Sequence, residues 1–100
     1  MHVISRRPLA AFGDIHPDAK ASLDVWWATA AKAGWTSRND VLAAFPNAHG
    51  VGGGRIRFEI AGGRYRLIVA FDFPRKVAFV KFLGSHAEYD RIDAATVAQF

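Results

Sequence analysis

The sequence predicts an α+β fold in which amino-terminal helices pack on a small antiparallel sheet. Three observations predict it. Apolar residues recur at helical spacing up to about residue 45, the period changes to two from Arg55 onward, and short glycine- or proline-bearing breaks separate the later segments. With 100 residues and 51% apolar side chains, the chain has the size for one domain over residues 1–100 with a modest core of its own.

His2-Val3-Ile4 reads as a short strand, and Ser5 as the N-cap of a helix running to about Asp14, with Pro8 tolerated in its first turn. The strongest helical signal follows. Pro17 suits a first-turn position, Leu23, Trp26, Trp27, Ala30 and Ala31 supply apolar spacing, and Lys32 then Gly34 suggest the end, with Gly34 as C-cap. The adjacent Trp26 and Trp27 cannot both face inward, so one of them is a candidate partner contact. Ser37, with Asp40 three residues on, opens a short helix through Val41, Leu42 and Phe45 that Pro46 stops. Asn47 to Gly54 reads as a loop. Its Gly52-Gly53-Gly54 run lacks the Gly-Lys-Ser/Thr that opens a helix in a phosphate-binding loop, which makes it a flexible connector.

From Arg55, Ile56, Phe58 and Ile60 point to one face, and Arg55, Arg57 and Glu59 to the other. Gly62-Gly63 is read as a two-residue hairpin turn. The next strand runs from Arg64 to about Phe73, with Tyr65, Leu67, Val69, Phe71 and Phe73 on the core face and Arg64 and Arg66 opposite. After a turn at Pro74-Arg75, Lys76 to Leu83 form a third strand. Its apolar residues Val77, Phe79, Val80 and Phe82 fall on both faces, which predicts a central place in the sheet. Residues 94–100 are compatible with a helix, a strand or a frayed end.

The formal charge of +4 and a pI near 10.0 are unevenly distributed. Arg55 to Lys81 holds seven basic residues against only Glu59 and Asp72, so the positive field belongs to one part of the fold, as a polyanion-binding face requires. The absence of cysteine excludes disulfides and thiolate zinc sites. His2, His16 and His49 have no ligand spacing, and neither a metal nor a cofactor is expected. Arg6 and Arg7 are followed by no long apolar run, so a cytoplasmic protein without membrane contact is the expectation.

Gly84-Ser85-His86-Ala87-Glu88-Tyr89-Asp90 places acid-base groups next to those cations. RNA cleavage by a ribose 2′-hydroxyl needs a proton acceptor, a proton donor and positive charge on the phosphate. An imidazole titrates near 6.5, so His86 is the first candidate for general acid or base. Tyr89 is a candidate donor or stabiliser, and Glu88 a second base. Arg64, Arg66 and Lys81 are candidates to hold the scissile phosphate, with Arg55, Arg57, Arg75 and Lys76 gripping flanking RNA. A structural reading stands beside this one: Ser85 N-caps a turn with Glu88 as capping-box partner, and Tyr89 packs its ring. Asp90 and Asp93 are read as neutralising Arg91 or capping the last turn, with no site role.

Val3-Ile4-Ser5, His16-Pro17-Asp18-Ala19, Ala44-Phe45-Pro46, Tyr65-Arg66-Leu67 and the whole of Gly84 to Asp93 resemble, in this order, the HigB family of toxins from type II toxin-antitoxin systems. The resemblance implies a RelE-like fold and a metal-independent endoribonuclease that cuts messenger RNA, typically on the ribosome. It also implies a helix-turn-helix antitoxin as partner, with operator DNA reached only through the toxin-antitoxin complex. Two alternatives use the same basic face: a non-catalytic RNA- or ribosome-binding inhibitor of translation, and a co-repressor subunit.

Overall fold

The computed structural model describes residues 1–100, and its elements follow the chemistry of the chain closely. A strand β1 (His2–Ile4) leads into helices α1 (Arg6–Ile15), α2 (Pro17–Lys32) and α3 (Arg38–Ala44). Strands β2 (His49–Gly52), β3 (Arg55–Ile60), β4 (Tyr65–Asp72) and β5 (Val77–Ser85) come next, and a single-turn helix α4 (His86–Tyr89) follows. The α+β class holds. No helix is long and apolar enough to cross a membrane.

Helix α2 starts with Pro17 at its first turn, where a missing N–H costs nothing. It buries Ala19, Leu23, Trp26 and Ala30, a 4-3-4 spacing that makes one continuous stripe. Trp26 is buried, its ring edge-on to Phe58 at 5.4 Å, whereas Trp27 is half-exposed beneath the Arg6 guanidinium at 3.8 Å. The neighbouring tryptophans therefore divide between core and surface, as helical geometry demands. Gly34 does not cap this helix: Ala33 does, in an extended conformation. Lys76 donates to the carbonyls of Gly34 and Trp35 at 3.2 and 2.9 Å. Ser37 caps α3 as expected, accepting from the Asp40 amide.

The sheet has five strands in the order β1-β5-β4-β3-β2. The three later strands form the expected antiparallel meander, and two additions lie at its edges. β1 joins β5 in parallel, His2 opposite Val77, and the segment expected as a loop contributes β2, with His49 opposite Arg57. A four-residue edge strand containing two glycines carries almost no periodic signal, which explains why composition alone reads it as a connector. The β3–β4 link is a three-residue 3₁₀ turn over Ala61–Gly63 rather than a two-residue hairpin. Arg64 belongs to that turn with helical backbone angles, so β4 starts at Tyr65 and Arg64 does not share a face with Arg66.

β5 does take a central position, between β1 and β4. Its pairing with β4 slips by one residue, Ile68 facing Phe82 and Val69 facing Val80, which leaves Lys81 as the extra residue of a bulge. The slip keeps Val80 and Leu83 on the helix side and Phe79 and Phe82 on the opposite side. Ile56, Phe58, Ile60, Leu67, Val69, Ala78, Val80 and Leu83 form the floor of the core under Leu9, Leu23, Trp26 and Val41. Burying side chains of this size contributes about 1.5–3 kcal/mol each. The opposite side of the sheet is also partly closed, since Ile68 and Phe82 are buried there.

Candidate active site

The site is assembled on the sheet face that the helices leave free. In the β3–β4 register Arg57 stands opposite Ile68 and Glu59 opposite Arg66, which makes Arg57 and Arg66 diagonal neighbours on that face. Glu59 Oε1 lies 3.4 Å from Arg66 Nη1, and the Arg66 side chain is only 11% exposed. Glu59 pairs with Arg66 and not with Arg57, so the local charge stays positive. The Nε atoms of both arginines are buried without a hydrogen-bond partner.

α4 brings Tyr89 over these arginines. The helix starts where β5 ends because Ser85 closes a capping box: its hydroxyl accepts from the Glu88 amide at 3.1 Å, and Glu88 Oε1 accepts from the Ser85 amide at 2.9 Å. The His86 amide donates to the Arg64 carbonyl at 3.0 Å, which ties the turn to the start of β4. Three residues later the Tyr89 ring lies 5.4 Å from the Arg57 guanidinium, 5.7 Å from that of Arg66 and 6.4 Å from the Phe82 ring. Arg57 Nη1 donates to the Tyr89 hydroxyl at 3.4 Å. The Tyr89 ring rests on Phe82 and two cations on this face, not on the helix layer, and its oxygen reaches one of those cations.

The other candidates are placed as follows. His86 is 55% exposed, its Nδ1 lying 3.2 Å from Asp90 Oδ2. Glu88 is held below the usual carboxylate range by the Ser85 backbone N–H, so it is ionised and committed to the cap. Lys81 lies 5.4 Å from the Phe79 ring on the same sheet face. Arg64 is turned away from Arg66, its Nη1 lying 3.2 Å from Asp18. Asp18 also accepts from the Tyr65 hydroxyl, which holds it below the ordinary carboxylate range and pushes the Tyr65 phenol up. Arg75 pairs with Asp72 at 2.7 Å, and Arg75 and Lys76 lie at the β4–β5 turn, roughly 25–30 Å along the strands from α4. Arg55 donates to the carbonyls of Ala94 and Val97. The structure brings together Arg57, Arg66, Tyr89 and the α4 turn bearing His86 and Glu88, and leaves Arg64, Arg75, Lys76 and Arg55 outside that group.

A family model for HigB_toxin, described as the RelE-like toxic component of a toxin-antitoxin system, matches residues 19–92. The chain belongs to the HigB toxin family. One relative of this HigB-family chain is an mRNA interferase HigB from Escherichia coli O6:H1 (strain CFT073), 26% identical over 97 residues that cover 92% of this chain and 91% of the relative. As the toxic component of a toxin-antitoxin system, the HigB chain has an antitoxin as its counterpart. Within it, sequence reasoning missed Glu59 as the counter-ion of Arg66 and Asp90 as the neighbour of His86. The first depended on the hairpin register, which the misread turn concealed. The second was legible as a four-residue spacing across a helical turn.

Proposed function

We propose that this HigB-family chain is a metal-independent endoribonuclease that cuts messenger RNA. The observation that carries the reading is the pair Arg57 and Arg66 flanking Tyr89, on the short helix that also bears His86. The relative named an mRNA interferase supports the same conclusion. A phosphodiester seated on the two arginines has its charge neutralised by bidentate donors before any bond changes. His86 takes the proton of the 2′-hydroxyl as its oxygen attacks phosphorus. The P–O5′ bond breaks, and Tyr89 supplies the proton that the departing 5′-oxygen needs. The products are a 2′,3′-cyclic phosphate and a 5′-hydroxyl, and no oxidant, reductant or metal enters the balance.

Lys81 and Arg64 border this centre, and Arg55, Arg75 and Lys76 lie farther along the same chain of charge. They serve flanking RNA or a ribosomal surface, where individual phosphate contacts add affinity without choosing a base. The ribosome is the setting in which messenger RNA is met, and the counterpart is a helix-turn-helix antitoxin that carries operator DNA binding for the complex. The work is cytoplasmic. Incubating the purified chain with translating ribosomes and mapping new RNA ends tests the proposal. New 5′-hydroxyl termini that disappear in His86→Ala and Tyr89→Phe are expected. Inhibited translation without new termini identifies a non-catalytic binder, and operator binding that strengthens only on adding this chain to the antitoxin identifies a co-repressor.

A further inference from the structure

We infer that the cavity beside the arginine pair is a pocket for one nucleobase of the bound RNA. The inference rests on the ribonuclease reading and deepens it, by naming the part of the strand that is held next to the phosphate. The cavity is the single one in the molecule, about 140 Å³ in volume, and is lined by Ala44 to Ala48 together with Phe58 and Glu59. It exists because Pro46 stops α3 and the chain then turns, the Ala48 amide donating to the Phe45 carbonyl at 2.9 Å, before β2 joins the sheet with His49 opposite Arg57. Phe58 and Glu59 lie past the end of that pairing, and the gap between them and the turn is the cavity.

Two links join this cavity to the phosphate-binding face. Glu59 lines it and lies 3.4 Å from Arg66, while His49, next in the chain after Ala48, is the cross-strand partner of Arg57 and shares its face. A phosphate held by Arg57 and Arg66 therefore brings a nucleotide to the mouth. The only charged residue in the wall, Glu59, is acidic, so the neutral base enters and a further phosphate is repelled. The Phe45 ring is held edge-on to Phe58 at 5.2 Å and to Trp35 at 6.1 Å, which fixes one aromatic wall. Asn47 is exposed at the rim, and neither its amide N–H nor its carboxamide bonds to another group of the chain, so donors and an acceptor are open to the edge of a base. The volume is well below the roughly 300–1,000 Å³ of a drug-sized ligand site and suits one planar ring system.

The test uses fluorescence anisotropy and a short RNA backbone, 2′-O-methylated so that it cannot be cut, with every base removed or with a single base restored. The strand is free to slide, so the one base can find the cavity. Restoring it should tighten binding to the wild type on the order of tenfold, within what base stacking supplies. Ala44→Phe, which fills the cavity from an exposed position, should abolish that gain and leave affinity for the baseless strand unchanged. Asn47→Ala, at a position without a positive φ and so tolerated by the turn, should reduce the gain. No gain in the wild type, or a gain that survives both substitutions, overturns the inference. Antitoxin binding lost in Ala44→Phe while the gain persists overturns it too and gives the cavity to the antitoxin. A gain without new 5′-hydroxyl ends on translating ribosomes leaves the pocket standing and removes the ribonuclease reading, and cleavage without a gain does the reverse.

Discussion

Arg66 and Tyr89 make different demands on the same square of sheet. Arg66 is nearly covered and tied to Glu59, so Arg66→Ala removes a phosphate donor and also leaves a carboxylate with no cation. Cleavage by Arg66→Ala should fall by about 2.7–4 kcal/mol of barrier, as for the loss of one charge-stabilising donor. Arg66→Lys keeps the charge but loses the planar fork, and recovery should be partial. Tyr89→Phe deletes only the oxygen near Arg57, and the ring can still rest on Phe82. Its single-turnover rate should drop on the order of 10²-fold while the thermal midpoint stays put. A midpoint that falls along with the rate would show that the hydroxyl serves the fold. At this scale the sequence singled out Arg64 and Arg66 together and misjudged their company. Arg64 and Arg66 are two residues apart, yet one binds Asp18 and the other Glu59, because the Ala61–Gly63 turn places Arg64 before the strand.

α4 is four residues long, far too short to hold its shape by propensity, and it depends on the Ser85–Glu88 box. Ser85→Ala should cost about 1 kcal/mol of stability, measured by urea unfolding, and should weaken cleavage by loosening the turn under His86 and Tyr89. The same box has a pH signature. Folding lowers the Glu88 pKa, so the unfolded chain binds more protons as the solution is acidified. The contribution of the box is complete above the ordinary carboxylate range and is lost as pH falls through the depressed folded value. Thermal midpoints measured at pH 6 and pH 3 should fall less in Glu88→Gln than in the wild type. The capping box was visible in the sequence because both its partners sit within four residues. The bulge at Lys81 was not, since it exists only in the pairing of β5 with β4.

For the whole molecule, charge position matters more than charge total. Removing one phosphate contact from single-stranded RNA should reduce the slope of log affinity against log salt by roughly 0.7. Arg57→Ala and Arg66→Ala should each show that reduction in titrations at several salt concentrations, and Arg75→Ala, whose guanidinium is already paired with Asp72, a smaller one. The α+β class, α2, α3 and the meander were readable because each buries a strong periodic face. β2 and the path of residues 94–100 were not, because their partners lie far away in sequence. That carboxyl-terminal stretch crosses the sheet beside the arginines. Arg55 grips the carbonyls of Ala94 and Val97, the Gln99 amide donates to the Lys81 carbonyl at 2.9 Å, and the Gln99 side chain accepts from the Leu83 amide at 2.8 Å. Gly53 passes so close that an added Cβ would fall 2.6 Å from the Ala95 oxygen. Cutting the chain after Asp93 should therefore liberate a cation and bare a strand margin in one stroke. The shortened protein is expected to hold RNA more tightly and, by light scattering, to self-associate through the stretch of β5 that Gln99 had kept occupied.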